Sequence, residues 1–279
     1  MAAATSSDRT ARHLSTYVCP LCSPLHKNSD MAATDAACSA PAPALLEDFD
    51  AIVAALTPYA ESDERVLVAI AGPPGVGKST LAAALEEALP GAMAVGMDGF
   101  HLHNDVLDAR GWRSVKGAPK TFDVDGLAST LTRLATAGPD SPPVVLPTFD
   151  RAADVSLAGA IVVPPPPQPS LIIVEGNYLI ADDELAGPGW SDVARNFTAS
   201  LYVDAQREIL VDALLQRWRT YGLDEQAAEA RALSNDIPNG DLVARSKANA
   251  TWMIHRDAVS HAVKHDATAL DDAALDAGG

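Results

Sequence analysis

The chain has 279 residues, 48% hydrophobic and 20% charged, enough apolar material for one large core, and its formal charge is −17. That balance has the wrong sign for a general binder of the nucleic-acid backbone, and no apolar run approaches the roughly 20 residues that cross a bilayer. The composition therefore predicts neither a nucleic-acid nor a membrane partner. Cys19, Cys22 and Cys38 are the only cysteines, a usage that suits a reducing cytoplasm.

Residues 1–44 are rich in Ala, Ser and Pro without periodicity, and read as a disordered tail. Met31 opens a stretch resembling an ordinary bacterial N-terminus, so translation starting there is one reading of the tail. Arg9, Arg12 and nearby Ser/Thr give only a faint transit-peptide pattern. Cys19, Cys22, His26 and Cys38 are zinc-ligand types, but their spacing matches no standard finger. Leu45, Leu46, Phe49, Ile52, Val53 and Leu56 repeat at helical spacing, which predicts an amphipathic helix ending before Pro58 and opening a folded unit over 45–266.

Val66 to Ala71 is a continuous Val/Ile-rich run of the kind buried on both faces of a sheet. A glycine-rich turn follows, and then Leu81, Leu85 and Leu89 mark one face of a helix closed by Pro90 and Gly91. Further strand-like runs lie at Val144–Leu146, Leu171–Val174 and Ser200–Val203. Strands alternating with helices predict an α/β fold with a parallel sheet. Pro164 to Pro167 reads as a stiff polyproline connector. The segment 267–279 is Ala/Asp-rich and reads as a flexible tail, while His261 and His265, four apart, lack the acid of a zinc-protease motif. Trp190, Trp218 and Trp252 read as packing anchors.

Gly72-Pro73-Pro74-Gly75-Val76-Gly77-Lys78-Ser79 matches the phosphate-binding pattern in full, between a predicted strand and a predicted helix. Glycines let the backbone curl so that its N–H groups face phosphate oxygens, and the following helix offers its positive end. Lys78 is suited to reach the β and γ phosphates, and the Ser79 hydroxyl to complete a Mg²⁺ shell. The overall −17 does not oppose this, because charges beyond about 8 Å are screened whereas these groups touch the anion.

Two acids fall at strand ends. Asp98 follows the apolar-biased run from Ala92 to Met97, and Glu175 ends Leu171-Ile172-Ile173-Val174, the place where ligands meet a parallel sheet and metal-binding acids sit. Their bland alternatives are an Asp-Gly turn for Asp98 and a solvated or helix-capping acid for Glu175. A stripe formed by Ile209, Leu210, Val211, Leu214 and Leu215 leads into Arg217 and Arg219, either a solvated helix end or a basic lid over phosphates.

Together GPPGVGKST, MDGFH, KGAPKTFD, PTFDR, VEGNYL, QRWRTYGL and NDIPN resemble the P-loop kinase family that contains uridine kinase, phosphoribulokinase and bacterial type I pantothenate kinase. Within it the likeness is nearest to the nucleoside/nucleotide kinase-like and fructose-transport-system kinase subgroup, over about residues 65–245. The resemblance implies a three-layer P-loop NTPase fold with a small helical lid near 205–240. It implies transfer of the ATP γ-phosphate to a hydroxyl of a small metabolite. In that reading residues Gly72 to Thr80 hold ATP, Asp98 is the catalytic base, Ser79, Glu175 and Asp98 hold Mg²⁺, and Arg217 and Arg219 close the lid. His101, Phe149, Asp150 and Arg151 fall on acceptor-side positions, with Phe149 standing where uridine kinases carry Tyr. Asp123 holds substrate hydroxyls or caps a helix starting at Val124, and Asn239 borders the adenine. The rival reading is a GTP-dependent switch or metallochaperone, but the chain carries no Asn-Lys-x-Asp guanine-reading motif. A homodimer is left open.

Overall fold

The computed structural model describes residues 41–258. Met31, Cys19, Cys22, His26, Cys38, His261 and His265, and the readings attached to both tails, lie outside those residues.

A two-residue strand, β1 (Ala44–Leu45), precedes α1 (Phe49–Ala60). Asp48 starts this helix by accepting a 2.8 Å bond from the Ala51 amide. The helix therefore begins later than the hydrophobic spacing predicts, Leu45 belonging to a strand, and it runs past Pro58 instead of stopping there. Ala54, whose carbonyl loses its partner when position 58 has no N–H, is exposed, so water can take that bond.

After α1 come β2 (Val66–Ala71), α2 (Lys78–Ala88) and β3 (Ala92–Gly96). A short 3₁₀ turn over Met97–Phe100 leads through α3 (Asn104–Ala109) to α4 (Val124–Ala135). Next are β4 (Val144–Asp150), β5 (Val155–Val163) and β6 (Leu171–Gly176). Two short helices, α5 (Asp183–Ala186) and α6 (Trp190–Ala194), precede β7 (Ala199–Asp204). The chain continues through α7 (Arg207–Thr220), α8 (Glu225–Arg231), a π-helical turn over Ala232–Asp236, α9 (Ile237–Ala244) and β8 (Trp252–His255).

Six strands form one parallel sheet in the order β1-β8-β7-β2-β6-β3. Alternation along β2 explains why it reads as uniformly apolar. Leu67, Ala69 and Ala71 face a cluster containing Leu127, Leu131, Tyr178 and Trp190, whereas Val68 and Ile70 face Ile52, Leu56, Leu81 and Leu85. Helices cover both faces, which makes this the three-layer α/β architecture expected of a P-loop NTPase. Trp190 is buried among these side chains; Trp218 and Trp252 are partly buried and pack against the second cluster.

Two parts depart from the pattern. The run at Val144 does not join the parallel sheet: β4 pairs antiparallel with β5 in a separate two-stranded unit. The register slips between Leu146 and Thr148, at Pro147, which has no amide to give the ladder. Residues 164–170 contain a turn at Pro166–Pro167 instead of a continuous polyproline rod. The hairpin is brought against the sheet edge by Gly99, where a Cβ would stand 2.5 Å from the Pro147 carbonyl oxygen. That contact sets the β4–β5 turn beside Asp98.

Candidate active site

All parallel strands end at the same edge, so the loop after β2, the turn after β3 and the end of β6 converge there. The loop after β2 passes so close to β7 that a Cβ on Gly72 would sit 2.6 Å from the Val203 carbonyl oxygen. Gly77 precedes α2 at φ +100, a left-handed conformation that favours glycine. The amides at the start of α2 are thereby turned toward one cavity, lined by Gly75, Gly77, Lys78, Ser79 and Thr80 of the loop and by Asp98 and Glu175.

Lys78 is only 6% exposed, and its Nζ donates to the Gly72 and Pro73 carbonyls at 2.9 and 3.0 Å and to Asn177 Oδ1 at 2.8 Å. Burial pushes its pKa down to about 8, against the pull of Glu175 and Asp98, so it remains an ammonium at neutral pH. Ser79 Oγ donates to Glu175 Oε1 at 3.0 Å. Burial raises the Glu175 carboxyl above its ordinary value and the nearby Asp98 charge raises it further. Two carboxylates lining one cavity with a serine hydroxyl are a donor set that fits a small hard cation, which takes one or two protein carboxylates and keeps its remaining oxygens from water or phosphate.

Asp98 Oδ2 accepts a 2.7 Å bond from Arg151 Nη2, delivered by the turn between β4 and β5. Burial opposes ionisation of Asp98, but the charges of His101, Arg151 and Lys78 outweigh it and hold its pKa below the usual carboxylate range. Burial also lowers the pKa of His101, so at neutral pH Arg151 and Lys78 are the cations that act on Asp98. His101 Nδ1 lies 2.8 Å from the Asp98 carbonyl oxygen and its ring packs on Phe122 and Phe149.

A second cavity, about 620 Å³ and open to solvent, adjoins the first. Pro74, Asp98, Arg151, Asn177 and Arg217 line both. His101, Phe149 and Asn239 line only the second, together with Lys116, Trp218 and Arg231. Lys116 is buried, bonds the Asn104 side chain and the Asp154 carbonyl at 2.8 and 2.7 Å, and pairs with the Asp154 carboxylate at 2.9 Å. Asp154 is held at φ +54, a left-handed conformation that Asp tolerates better than most side chains. The hairpin turn is thus pinned to the sheet edge by two ion pairs, Arg151 to Asp98 and Asp154 to Lys116. A third cavity, about 450 Å³, lies on the other side of the loop between Pro73, Tyr202, Leu210 and Ile237.

No family model matches the chain. It is 35% identical over 196 residues to YggC of Escherichia coli (strain K12), a protein described only as uncharacterized, across 68% of this chain and 77% of that one. It is 32% identical over 195 residues to the "putative uridine kinase C227.14" of Schizosaccharomyces pombe, across 66% and 80%. The crystal structure of a "putative fructose transport system kinase" from Silicibacter sp. TM1040 superposes with a TM-score of 0.65 at 36% identity, over 74% of this chain and 98% of that one. The chain belongs to the P-loop kinase family of uridine kinase and pantothenate kinase.

Measured against what P-loop kinase motifs imply, the structure gathers most of the expected side chains and leaves Asp123, Asp150 and Arg219 outside the three cavities. Asp123 is exposed and caps α4, accepting from the Gly126 amide at 3.0 Å; it lines none of the three cavities. Asp150 likewise turns into the hairpin, where its Oδ1 accepts from the Ala152 and Ala153 amides at 2.9 and 3.0 Å. Arg219 sits two residues beyond Arg217, on another side of α7, and its guanidinium forms a two-pronged bond to Glu225 at 2.7 and 2.6 Å. Asn239 faces the second cavity, while Ile237, Gly240, Asp241 and Ala244 form the helix face toward the third. Asn239 thus lies on the acceptor-side cavity.

The P-loop kinase motifs were also silent on Lys116, Asn177, Asp154 and Arg231. The first two lie inside segments that carry the family likeness, at the head of KGAPKTFD and in VEGNYL. Asp154 and Arg231 reach the cavity through a hairpin turn and the end of α8, and no local spacing marks them.

Proposed function

We propose that this kinase moves the γ-phosphate of ATP onto a hydroxyl of a small metabolite held in the second cavity, with Asp98 as the base. The observation that carries the reading is the shared wall: phosphate cradle and acceptor cavity meet at Asp98, Arg151, Asn177 and Arg217. In the proposed mechanism the loop amides and Lys78 bind the β and γ phosphates, and the adenine enters the third cavity between Pro73, Tyr202 and Ile237. Ser79, Glu175 and Asp98 would hold Mg²⁺, which neutralises charge on the β and γ oxygens when bound.

Because the transition state for phosphoryl transfer is loose, the acceptor proton leaves late and a carboxylate of low pKa suffices to orient the alcohol and receive it. Arg151 engages Asp98 Oδ2, leaving Oδ1 to the incoming hydroxyl. Arg217, which lines both cavities and has no carboxylate partner within ion-pair distance among the described residues, is suited to the charge that builds on the transferring group.

A cytoplasmic setting belongs to the same proposal and rests on cysteine usage; among the described residues no helix is long and apolar enough to cross a membrane. The test is ADP release from Mg-ATP against nucleosides, sugars and hydroxy acids, with Lys78→Ala as the blank. Turnover that depends on one class of alcohol and on Lys78 supports the proposal; ADP release that ignores every alcohol favours a nucleotide switch.

A further inference from the structure

The acceptor cavity holds an imbalance of charge. Lys116, Arg151, Arg217 and Arg231 line it against Asp98, Asp154 and Asp236, four cations to three carboxylates in a chain whose formal charge is −17. Two pairs cancel locally: Arg151 with Asp98 at 2.7 Å and Lys116 with Asp154 at 2.9 Å. Asp236 accepts from Trp218 Nε1 at 2.6 Å and from Asn235 at 3.4 Å, and the charges of Arg231 and Arg217 act on it from beyond ion-pair distance. His101 and Tyr221 also line this wall.

Arg217 and Arg231 are left with no carboxylate within ion-pair distance among the described residues. Arg217 also borders the phosphate cradle, but Arg231 lines the acceptor cavity alone. It ends α8, where a solvated cation is an ordinary device for offsetting the helix dipole. Its surroundings are not those of a solvated end. The guanidinium lies 5.2 Å from the centre of the Trp218 ring, and its two terminal nitrogens donate to the Lys116 and Ser114 carbonyls at 3.2 and 3.5 Å. Stacking and backbone anchors fix the plane of a half-buried cation and leave the rest of its donor fork for a ligand oxygen.

We infer that the phosphoryl acceptor is an anionic alcohol, its carboxylate or phosphate held by Arg231 while its hydroxyl lies against Asp98. This rests on the kinase reading and narrows it: Asp236 acts on Arg231 only from beyond ion-pair distance, so a neutral nucleoside or free sugar would leave the Arg231 fork without a paired acceptor in a cavity with four cations to three carboxylates. Carboxylate and phosphate share the recognition chemistry, since both accept two N–H bonds from one guanidinium.

The experiment uses the full chain with Mg-ATP and matched pairs of alcohols that differ only in the ionised group. One arm sets hydroxy carboxylates against their primary amides, and the other sets sugar phosphates against the free sugars. The charged member of at least one arm should have a kcat/KM about a hundredfold above its neutral twin, the scale of a charge-assisted bond, and the arm that responds identifies the anion. Arg231→Met should bring that preference to within about tenfold by raising acceptor KM, with KM for ATP unchanged, and Arg231→Lys should fall between. Should Arg231→Met fail to fold, the wild-type ratio decides alone. Neutral alcohols turned over as well as charged ones, or a preference that survives Arg231→Met, would overturn the inference while leaving the kinase reading intact. No Lys78-dependent ADP from any alcohol would overturn both.

Discussion

The two sides of this site are built by different means. The phosphate cradle is one continuous stretch, Gly72 to Thr80, backed by Glu175 on β6 beside it, and its geometry comes from backbone turns clamped between β2, β7 and α2. The acceptor wall is assembled from separate pieces: the turn after β3, the Lys116 loop, the β4–β5 turn and helices α7 to α9, held together by ion pairs and hydrogen bonds between distant residues. A cradle made of main chain binds any triphosphate tail and leaves little room for variation. A wall made of side chains on loops and hairpins can change its ligand without disturbing the chemistry next to it. Asp98 belongs to both sides, which is why the site can be divided experimentally.

The sharpest division comes from Arg217 and Arg219, two residues apart on one helix. Arg217→Met should lower kcat by about a thousandfold if it meets the charge of the transferring group, the scale of an arginine supplied to a phosphoryl transition state. Arg219→Met should change kcat less than about threefold, because its guanidinium is spent on Glu225 at an exposed turn, a contact worth little. Equal losses in steady-state turnover would remove the distinction. Of similar size is Asp98→Asn, which keeps the shape of the shared wall and removes the base: kcat should fall about 10²- to 10⁴-fold, while affinity for ATP without Mg²⁺, read by calorimetry, stays within about threefold. An equal loss of both would show Asp98 acting through nucleotide binding and not as the base.

The same contrast explains how much could be read from sequence. Strand β2, helix α2 and the loop between them are legible because their signals are local: an apolar run, a glycine pattern, and a helical stripe. Asp98 and Glu175 are legible because a parallel sheet puts strand ends on one edge, so position in the chain predicts position at the site. The β4–β5 hairpin is not legible in that way. Leu157 to Val163 lacks the polar alternation of a half-exposed strand, since Leu157 and Val162 are exposed apolar residues, and its partner β4 resembles one more strand of the main sheet. Arg151 lies in a quoted motif, yet its bond to Asp98 depends on a pairing across 53 residues. Asp123 and Asp150 show the converse: motif likeness places them with the substrate, but short-range geometry lets each carboxylate satisfy backbone amides two or three residues ahead, and that local bond wins.

The smallest expected effect tests that last point. Asp123 caps α4, whose Leu127, Leu131 and Leu134 are buried in the core, so losing the cap frays the helix that backs the acceptor wall without removing a ligand contact. Asp123→Ala should cost about 1 kcal/mol, a drop of roughly 2–4 °C in Tm for a domain of this size, with acceptor KM within about twofold of wild type. Asp123→Asn separates the two roles more finely, because Asn caps helices nearly as well as Asp but carries no charge. A cap predicts that Asn restores Tm and leaves KM alone; a carboxylate that binds substrate hydroxyls predicts a raised KM at unchanged Tm. Thermal unfolding and acceptor titration on the same two variants therefore decide whether motif or local geometry governs this position.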